Sequence, residues 1–253
     1  MAAGRRAGID VGGTKCHGVV IDAAGVVVHD YRLPTPAGHD AIVDTLAEVA
    51  AQLAPFDSIG LGVPGLITRD GVIKASPNLV DVRDFPVGQL LSQRLGTVVH
   101  VDNDATCATV AEWRAGAARG FDDVVMVTLG TGIGGGIVAN GQLVRGANGF
   151  TGEFGHMVVQ PDGPWCPCGR RGCWERYASG SGLAWLAREA AIEGRASNII
   201  ERAGGHPDGI RGEHVQQAAV DGDTDALAVI DTFADWVAIG LASLTNALDP
   251  ALF

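Results

Sequence analysis

Lysine is almost missing from this chain. Only Lys15 and Lys74 occur in 253 residues, and 18 Lys and Arg against 29 Asp and Glu leave a formal charge of −11. That balance argues against nucleic acid as a partner, because phosphate neutralisation needs clustered cations. Also lacking is any run of apolar residues that approaches the roughly 20 needed to cross a bilayer, so no membrane partner is expected. The opening Met-Ala-Ala-Gly-Arg-Arg-Ala-Gly-Ile-Asp has no apolar stretch of the signal-peptide kind, and the expectation is a cytoplasmic protein. Hydrophobic residues are not scarce: at 47% they suffice for a packed core, and the length suits one large domain or two smaller ones.

Cysteine is sparse but unevenly placed. Three of the five fall within eight residues, in Cys166-Pro-Cys168-Gly-Arg-Arg-Gly-Cys173-Trp-Glu175, with His156 ten positions upstream of the first. In a chain without an export signal, thiols this dense read as a metal site rather than as disulfides. Three sulfurs and one imidazole nitrogen make the closed tetrahedral set that zinc prefers in structural sites. Glu153 and Glu175 flank the cluster with groups a sugar could use. Cys16 and Cys107 stand alone among small apolar residues, where a buried inert thiol is expected.

Along the chain, short β-branched runs at 19–21 and 26–28 flank Asp22-Ala-Ala-Gly25 and predict a hairpin. Ile42, Leu46, Val49 and Leu53 recur at helical spacing over about 40–53. Strands are predicted at 59–63 and 98–101, with a tight turn at Asp70-Gly71 and an alanine-rich helix from about 104 to 117. A second set follows: a strand at 124–127, a hairpin turn at Asn140-Gly141, and helices at about 182–195, 212–222 and 224–248. Strands preceding helices, with hairpins mixed in, favour an α/β architecture of two lobes hinged near 105–120. The expected division is a small N-terminal lobe over 1–110 and a larger lobe over 111–253 carrying the zinc loop.

Two glycine turns sit one in each half. Asp10-Val-Gly12-Gly13-Thr14-Lys15 offers backbone N–H groups, a hydroxyl and a cation to an anion, and Asp10 can hold Mg²⁺ beside a phosphate. Gly130-Thr131-Gly132 repeats the arrangement. Either turn alone could be an ordinary loop; the pair fits a nucleotide phosphate tail. Neither has the spacing of a Walker A loop or a Rossmann fingerprint. At this strand end either Asp102 or Asp104 simply caps the helix that follows, or Asp104 accepts a proton from a substrate hydroxyl. Asn78, Asn103, Glu153, His156 and Glu175 supply the fixed polar groups that a sugar ring would need.

These segments together resemble the ROK family of sugar kinases and repressors, and the bacterial glucokinases within it. The matching pieces are Asp10–Lys15, Ser76-Pro-Asn78-Leu79, Asp102-Asn103-Asp104-Ala105 and Gly130–Gly136, then Gly146–Gly149, Gly152–His156 and Cys166–Glu175. The resemblance implies an actin/hexokinase-like (ribonuclease H-like) fold with the active site in the interlobe cleft. It further implies ATP and Mg²⁺ use and phosphorylation of the 6-hydroxyl of a hexose, with glucose as the leading expectation. By the family pattern Asp104 is the catalytic base, Asn78, Asn103, Asp104, Glu153, His156 and Glu175 bind the sugar, and Asp10, Gly12, Gly13, Thr14, Lys15, Gly130, Thr131 and Gly132 bind the nucleotide. His156, Cys166, Cys168 and Cys173 hold structural Zn²⁺, and a homo-oligomer, dimer or tetramer, is expected.

The alternatives within the resemblance are a kinase for mannose, fructose, N-acetylglucosamine or N-acetylmannosamine, and a non-catalytic sugar-binding or regulatory protein. A repressor would carry an N-terminal helix-turn-helix, whereas nine residues precede Asp10. Family members continue past the position of Phe253 with a strand, an adenosine-binding turn and a last helix. The expectation is therefore that the C-terminal end of the fold is missing from this sequence: either the sequence is a piece of a longer chain, or the adenine subsite is incomplete.

Overall fold

The computed structural model describes residues 4–79 and 81–253. It divides into two compact units, each built from two stretches of chain: Met1–Gly120 with Leu143–Thr151, and Phe121–Gln142 with Gly152–Phe253.

The first unit begins with β1 (Arg6–Val11), β2 (Lys15–Ile21), β3 (Val27–Pro34), α1 (His39–Leu53) and β4 (Ser58–Val63). It continues with β5 (Leu66–Ile67), β6 (Ile73–Ala75), β7 (Arg83–Phe85), α2 (Val87–Leu95), β8 (Val99–Asn103) and α3 (Asp104–Ala115). Alternation decides which face is buried. Ala7, Ile9 and Val11 of β1 and Ile59, Leu61 and Val63 of β4 point into the core, while Arg6 and Asp10 are exposed. Onto that apolar face α1 lays Ile42, Leu46, Val49 and Leu53, the one-sided stripe read from the sequence.

The sheet runs β3-β2-β1-β4-β8. β1–β2 and β2–β3 are antiparallel, whereas β1–β4 and β4–β8 are parallel. Because β1, β4 and β8 point the same way, their carboxyl ends line one edge, where α/β sheets bind ligands. The register sets Asp10 opposite Gly62 and Gly62 opposite Asp102. The Asp10 turn, Pro64 and Asp104 therefore emerge side by side. A small sheet, β5-β6-β7, adjoins them in the chain. The hairpin at Asp70-Gly71 is present, but β7 and α2 were not legible: Pro86, two glutamines and a serine hide a two-turn helix that buries only Val87, Gly88 and Leu91.

The second unit has β9 (Val124–Leu129) and β10 (Ile133–Ala139); β11 (Gln142–Val144), which begins on that unit's last residue before the chain passes to the first, completes the order β11-β10-β9. Asn140 and Gly141 both have positive φ, +49° and +67°, as an Asn-Gly hairpin turn requires. Its helices are α4 (Glu175–Ala178), α5 (Gly180–Ile192), α6 (Ser197–Arg202), α7 (Gly212–Val220) and α8 (Thr224–Leu248). One cluster joins Leu183, Ile199, Val215 and Val229; another joins Val125, Ile133, Phe154, Trp174 and Leu244.

Although it holds no uninterrupted apolar run, α8 is long and apolar enough, by length and composition, to cross a membrane. Asp231 and Asp235 interrupt it, which is why no continuous apolar run stands out. In this structure it packs on α5 and α7 and buries Ala226, Val229, Gly240 and Leu244.

Trp174 is fully buried, donates its indole N–H to the Trp236 carbonyl at 2.7 Å, and lies against Gly240 of α8. A Cβ at Gly240 would overlap the indole ring. Gly240→Ala is therefore expected to destabilise the protein by about 1–3 kcal/mol through overpacking, despite alanine's better helix propensity. Urea unfolding reads this directly, and an unchanged midpoint would mean that α8 can move away from Trp174 at little cost.

Candidate functional site

In the first unit the glycine turn after β1 is braced from within. Gly12 N–H donates to the Lys15 carbonyl at 2.8 Å. Thr35 donates its hydroxyl to the Gly12 carbonyl at 2.6 Å and its N–H to the Thr14 carbonyl at 3.1 Å. Thr35 was not singled out in the sequence, since it lies 21 residues beyond the motif's Thr14 and only the β2–β3 hairpin brings it back. With those groups occupied, the N–H groups of Gly13 and Thr14 have no hydrogen-bond acceptor among the described residues. The free donors are thus narrower than the motif suggested, because Gly12's is spent. A Cβ at Gly13 would lie 2.8 Å from the Asn78 carbonyl oxygen, so the turn and the Ser76–Leu79 segment meet backbone to backbone. Only glycine permits that approach.

Asp104 opens α3, yet it is not the cap. Asn103 is: its Oδ1 accepts the Thr106 N–H at 3.0 Å. The Asn103 amide also donates to the Gly65 carbonyl at 3.1 Å, which leaves one of its N–H groups for a ligand. Asp104 Oδ1 accepts the N–H of Ala105 at 2.8 Å. Its charge is felt at Asp10, whose proton affinity is raised by burial first and by Asp104 second, against the opposing pull of His17 and Lys15. Asp10, Asp102 and Asp104 line one cavity of about 1050 Å³ within this unit.

In the second unit Gly130 N–H bonds the Gly132 carbonyl at 3.0 Å, closing the second glycine turn. Gly180 N–H and the Ser181 hydroxyl, at the start of α5, hold the Gly130 and Thr131 carbonyls at 2.8 Å each. Here too the first glycine's N–H is used, and those of Thr131 and Gly132 have no acceptor among the described residues.

His156, Cys166, Cys168 and Cys173 come together, with one donor atom from each lying within 4.8 Å of all the others. Cys168 and Cys173 sulfurs are 3.5 Å apart, too far for a disulfide, and Cys166 Sγ is 3.6 Å from His156 Nδ1. A tetrahedron with metal–sulfur bonds of about 2.3 Å has edges of about 3.8 Å, so the donor set fits a zinc-sized ion. Burial pushes the Cys166 thiol upward, and it donates to Glu175 Oε1 at 3.2 Å. A bound metal would take the place of that proton.

His156 presents Nδ1 to this cluster and Nε2 to Glu153, whose Oε2 is 3.8 Å away. Glu175 spans more than was read from the sequence. One oxygen sits by Cys166 and His156, while the other would lie 2.9 Å from a Cβ at Gly132. The carboxylate therefore links the cysteine cluster to the second glycine turn.

A family model described as "ROK family" matches residues 6–253. A glucokinase of Streptomyces coelicolor is 38% identical over 252 residues, covering 97% of this chain and 79% of that protein. An N-acetyl-D-glucosamine kinase of Pectobacterium atrosepticum is 35% identical over 260 residues, covering 97% and 81%. The xylose repressor of Bacillus subtilis is 33% identical over 257 residues, covering 98% and 62%. Among solved structures, a ROK family glucokinase from Streptomyces griseus in complex with glucose and AMPPNP superposes with a TM-score of 0.84 at 38% identity, covering 98% of this chain and 81% of that one. The chain belongs to the ROK family and has its actin/hexokinase-like fold.

Proposed function

We propose that this protein is an ATP-dependent glucokinase that transfers the γ-phosphoryl group of ATP to the 6-hydroxyl of glucose. The observation that carries the reading is that Asp10 and Asp104 stand at the carboxyl end of one sheet and line one cavity. One suits the phosphate side of a transfer and the other the acceptor side. The match to a glucokinase solved in complex with glucose and AMPPNP supports it.

In this reading Asp104 accepts a hydrogen bond from the sugar 6-hydroxyl and orients its oxygen toward the γ-phosphorus. As the new O–P bond forms, the bond from the γ-phosphorus to the β–γ bridging oxygen breaks and its electron pair leaves with ADP. The hydroxyl proton passes to Asp104. Since the transition state is loose, positioning and charge stabilisation outweigh base strength. Gly13 and Thr14 offer N–H donors to the phosphates, as do Thr131 and Gly132. Asp10 would hold Mg²⁺, which neutralises phosphate charge when bound. Zinc held by His156 and the three cysteines would be structural, orienting the imidazole so that Nε2 and Glu153 serve the sugar, together with Asn78, Asn103 and Glu175.

The Pectobacterium match favours a second reading, an N-acetylhexosamine kinase. A coupled ADP-release assay over glucose, mannose, fructose, N-acetylglucosamine and N-acetylmannosamine decides between them. Glucose is expected to show a kcat/KM at least about tenfold above the others, the discrimination one well-placed group supplies. Preference for another sugar would move the assignment to that sugar. Sugar binding without ADP release would move it to a regulator.

A further inference from the structure

Two residues before Asp104, the Asp102 carboxylate receives the guanidinium of Arg145 through Oδ2 and its neighbour Asn103's N–H through Oδ1 at 3.0 Å. Arg145 comes from 143–151, the stretch that packs with the first unit although the chain on either side belongs to the second. Two further ties hold it there. The Arg69 guanidinium donates to the Gly146 carbonyl, and Gly149, at φ +98°, lies so near the backbone of Ile67–Arg69 that a Cβ would fall 3.1 Å from the Arg69 nitrogen.

Asp102, Asp104, Asp10, Arg69 and Arg145 line the same cavity. The Asp102 side chain is only 18% exposed, so its charge needs a partner. These charges act on one another across the cavity. At Cys107 burial, then Asp102, then Asp104 push the thiol up to about 11, and Arg145 pulls the other way. Gly62, between Asp10 and Asp102 in the register, puts no side chain in the gap.

We infer that Asp102 and Arg145 form a clasp that makes both positioning residues for phosphoryl transfer. The clasp fastens 143–151 to the strand end that carries Asp104, and it neutralises Asp102 so that Asp104 alone faces the acceptor hydroxyl. The catalytic part rests on the kinase reading; the clasp itself does not. Without Arg145 a second, unpaired carboxylate near Asp104 would compete with it for the acceptor hydroxyl.

The test uses the full chain and the variants Asp102→Asn, Arg145→Met, Arg145→Lys and Asp102→Asn/Arg145→Met. Arg145→Met is expected to lower kcat about tenfold with KM for MgATP within twofold of wild type. Arg145→Lys should recover at least half of the activity, and the double variant should exceed Arg145→Met, because removing both charges leaves none unpaired. Arg145 is also a trypsin site, and although its side chain is partly exposed, its guanidinium is engaged while it is paired. In Asp102→Asn, cleavage after Arg145 into fragments 1–145 and 146–253, identified by mass, should be at least about fivefold faster at an unchanged melting temperature. A kcat for Arg145→Met within twofold of wild type would overturn the positioning role. Unchanged cleavage in Asp102→Asn would overturn the clasp. If wild type phosphorylates no sugar, the kinase reading and the catalytic role fail together, while the cleavage arm still decides the clasp. Should Arg145→Met not fold, Asp102→Asn and Arg145→Lys carry the kinetic comparison.

Discussion

Asp104→Asn is expected to lower kcat by about a thousandfold while KM for glucose and MgATP changes by less than about threefold, the size usual for loss of a positioned general base. The substitution is clean for reasons visible in the fold. Asn103, not Asp104, caps α3, so the helix keeps its start. The asparagine amide oxygen can still accept the Ala105 N–H, so what disappears is the proton-accepting charge. The change also removes the like charge that raises the proton affinity of Asp10, so Mg²⁺ affinity should not weaken. Steady-state kinetics with saturating sugar give the answer. A kcat within tenfold of wild type would remove Asp104 from the role of base.

The second large effect concerns the cysteine cluster. Protein purified without added metal is expected to hold about one zinc per chain, and Cys168→Ser to lose it. Cys168 is exposed while Cys166 and Cys173 are buried, so this substitution removes a ligand without disturbing packed side chains. The fall in melting temperature therefore reports the metal. Structural zinc contributes folding free energy outright, and a loss of about 4 kcal/mol would lower the midpoint by about 10 °C in a chain of this size. Sugar affinity should fall with it, because His156 and Glu175 both border the cluster. Metal analysis, thermal unfolding and a sugar titration on one preparation test this. Zinc loss with an unchanged midpoint would show the site to be incidental to stability.

Much of this was legible in the residues. Helix α1 follows its stripe of Ile42, Leu46, Val49 and Leu53, and the Asn140-Gly141 turn takes the φ values its residues favour. Both are local signals. The cysteine cluster was readable because its ligands are chemically rare and close in sequence. What could not be read depends on distant chain segments meeting. Thr35 reaches Gly12 only through a strand register, and Asp102 finds Arg145 only after the chain has made and left β10. Helix α2 was missed for another reason: with so few buried positions, its apolar period never rises above its polar content. The role of Asp104 was left open between cap and base; Asn103's hydrogen bond to Thr106 removes the first option.

The interleaving of the two units has a bearing on how the chain is made. All five strands of the first sheet have left the ribosome once Asn103 has, so that sheet can assemble early. Asp102, however, waits for an arginine 43 positions later. At translation rates of about 5–20 residues per second, that carboxylate stays unpaired for about 2–9 seconds of synthesis. During this interval β9 and β10 are already available to pair with each other. The nascent protein thus begins its second unit before finishing its first, and neither unit can be excised as one continuous piece of gene.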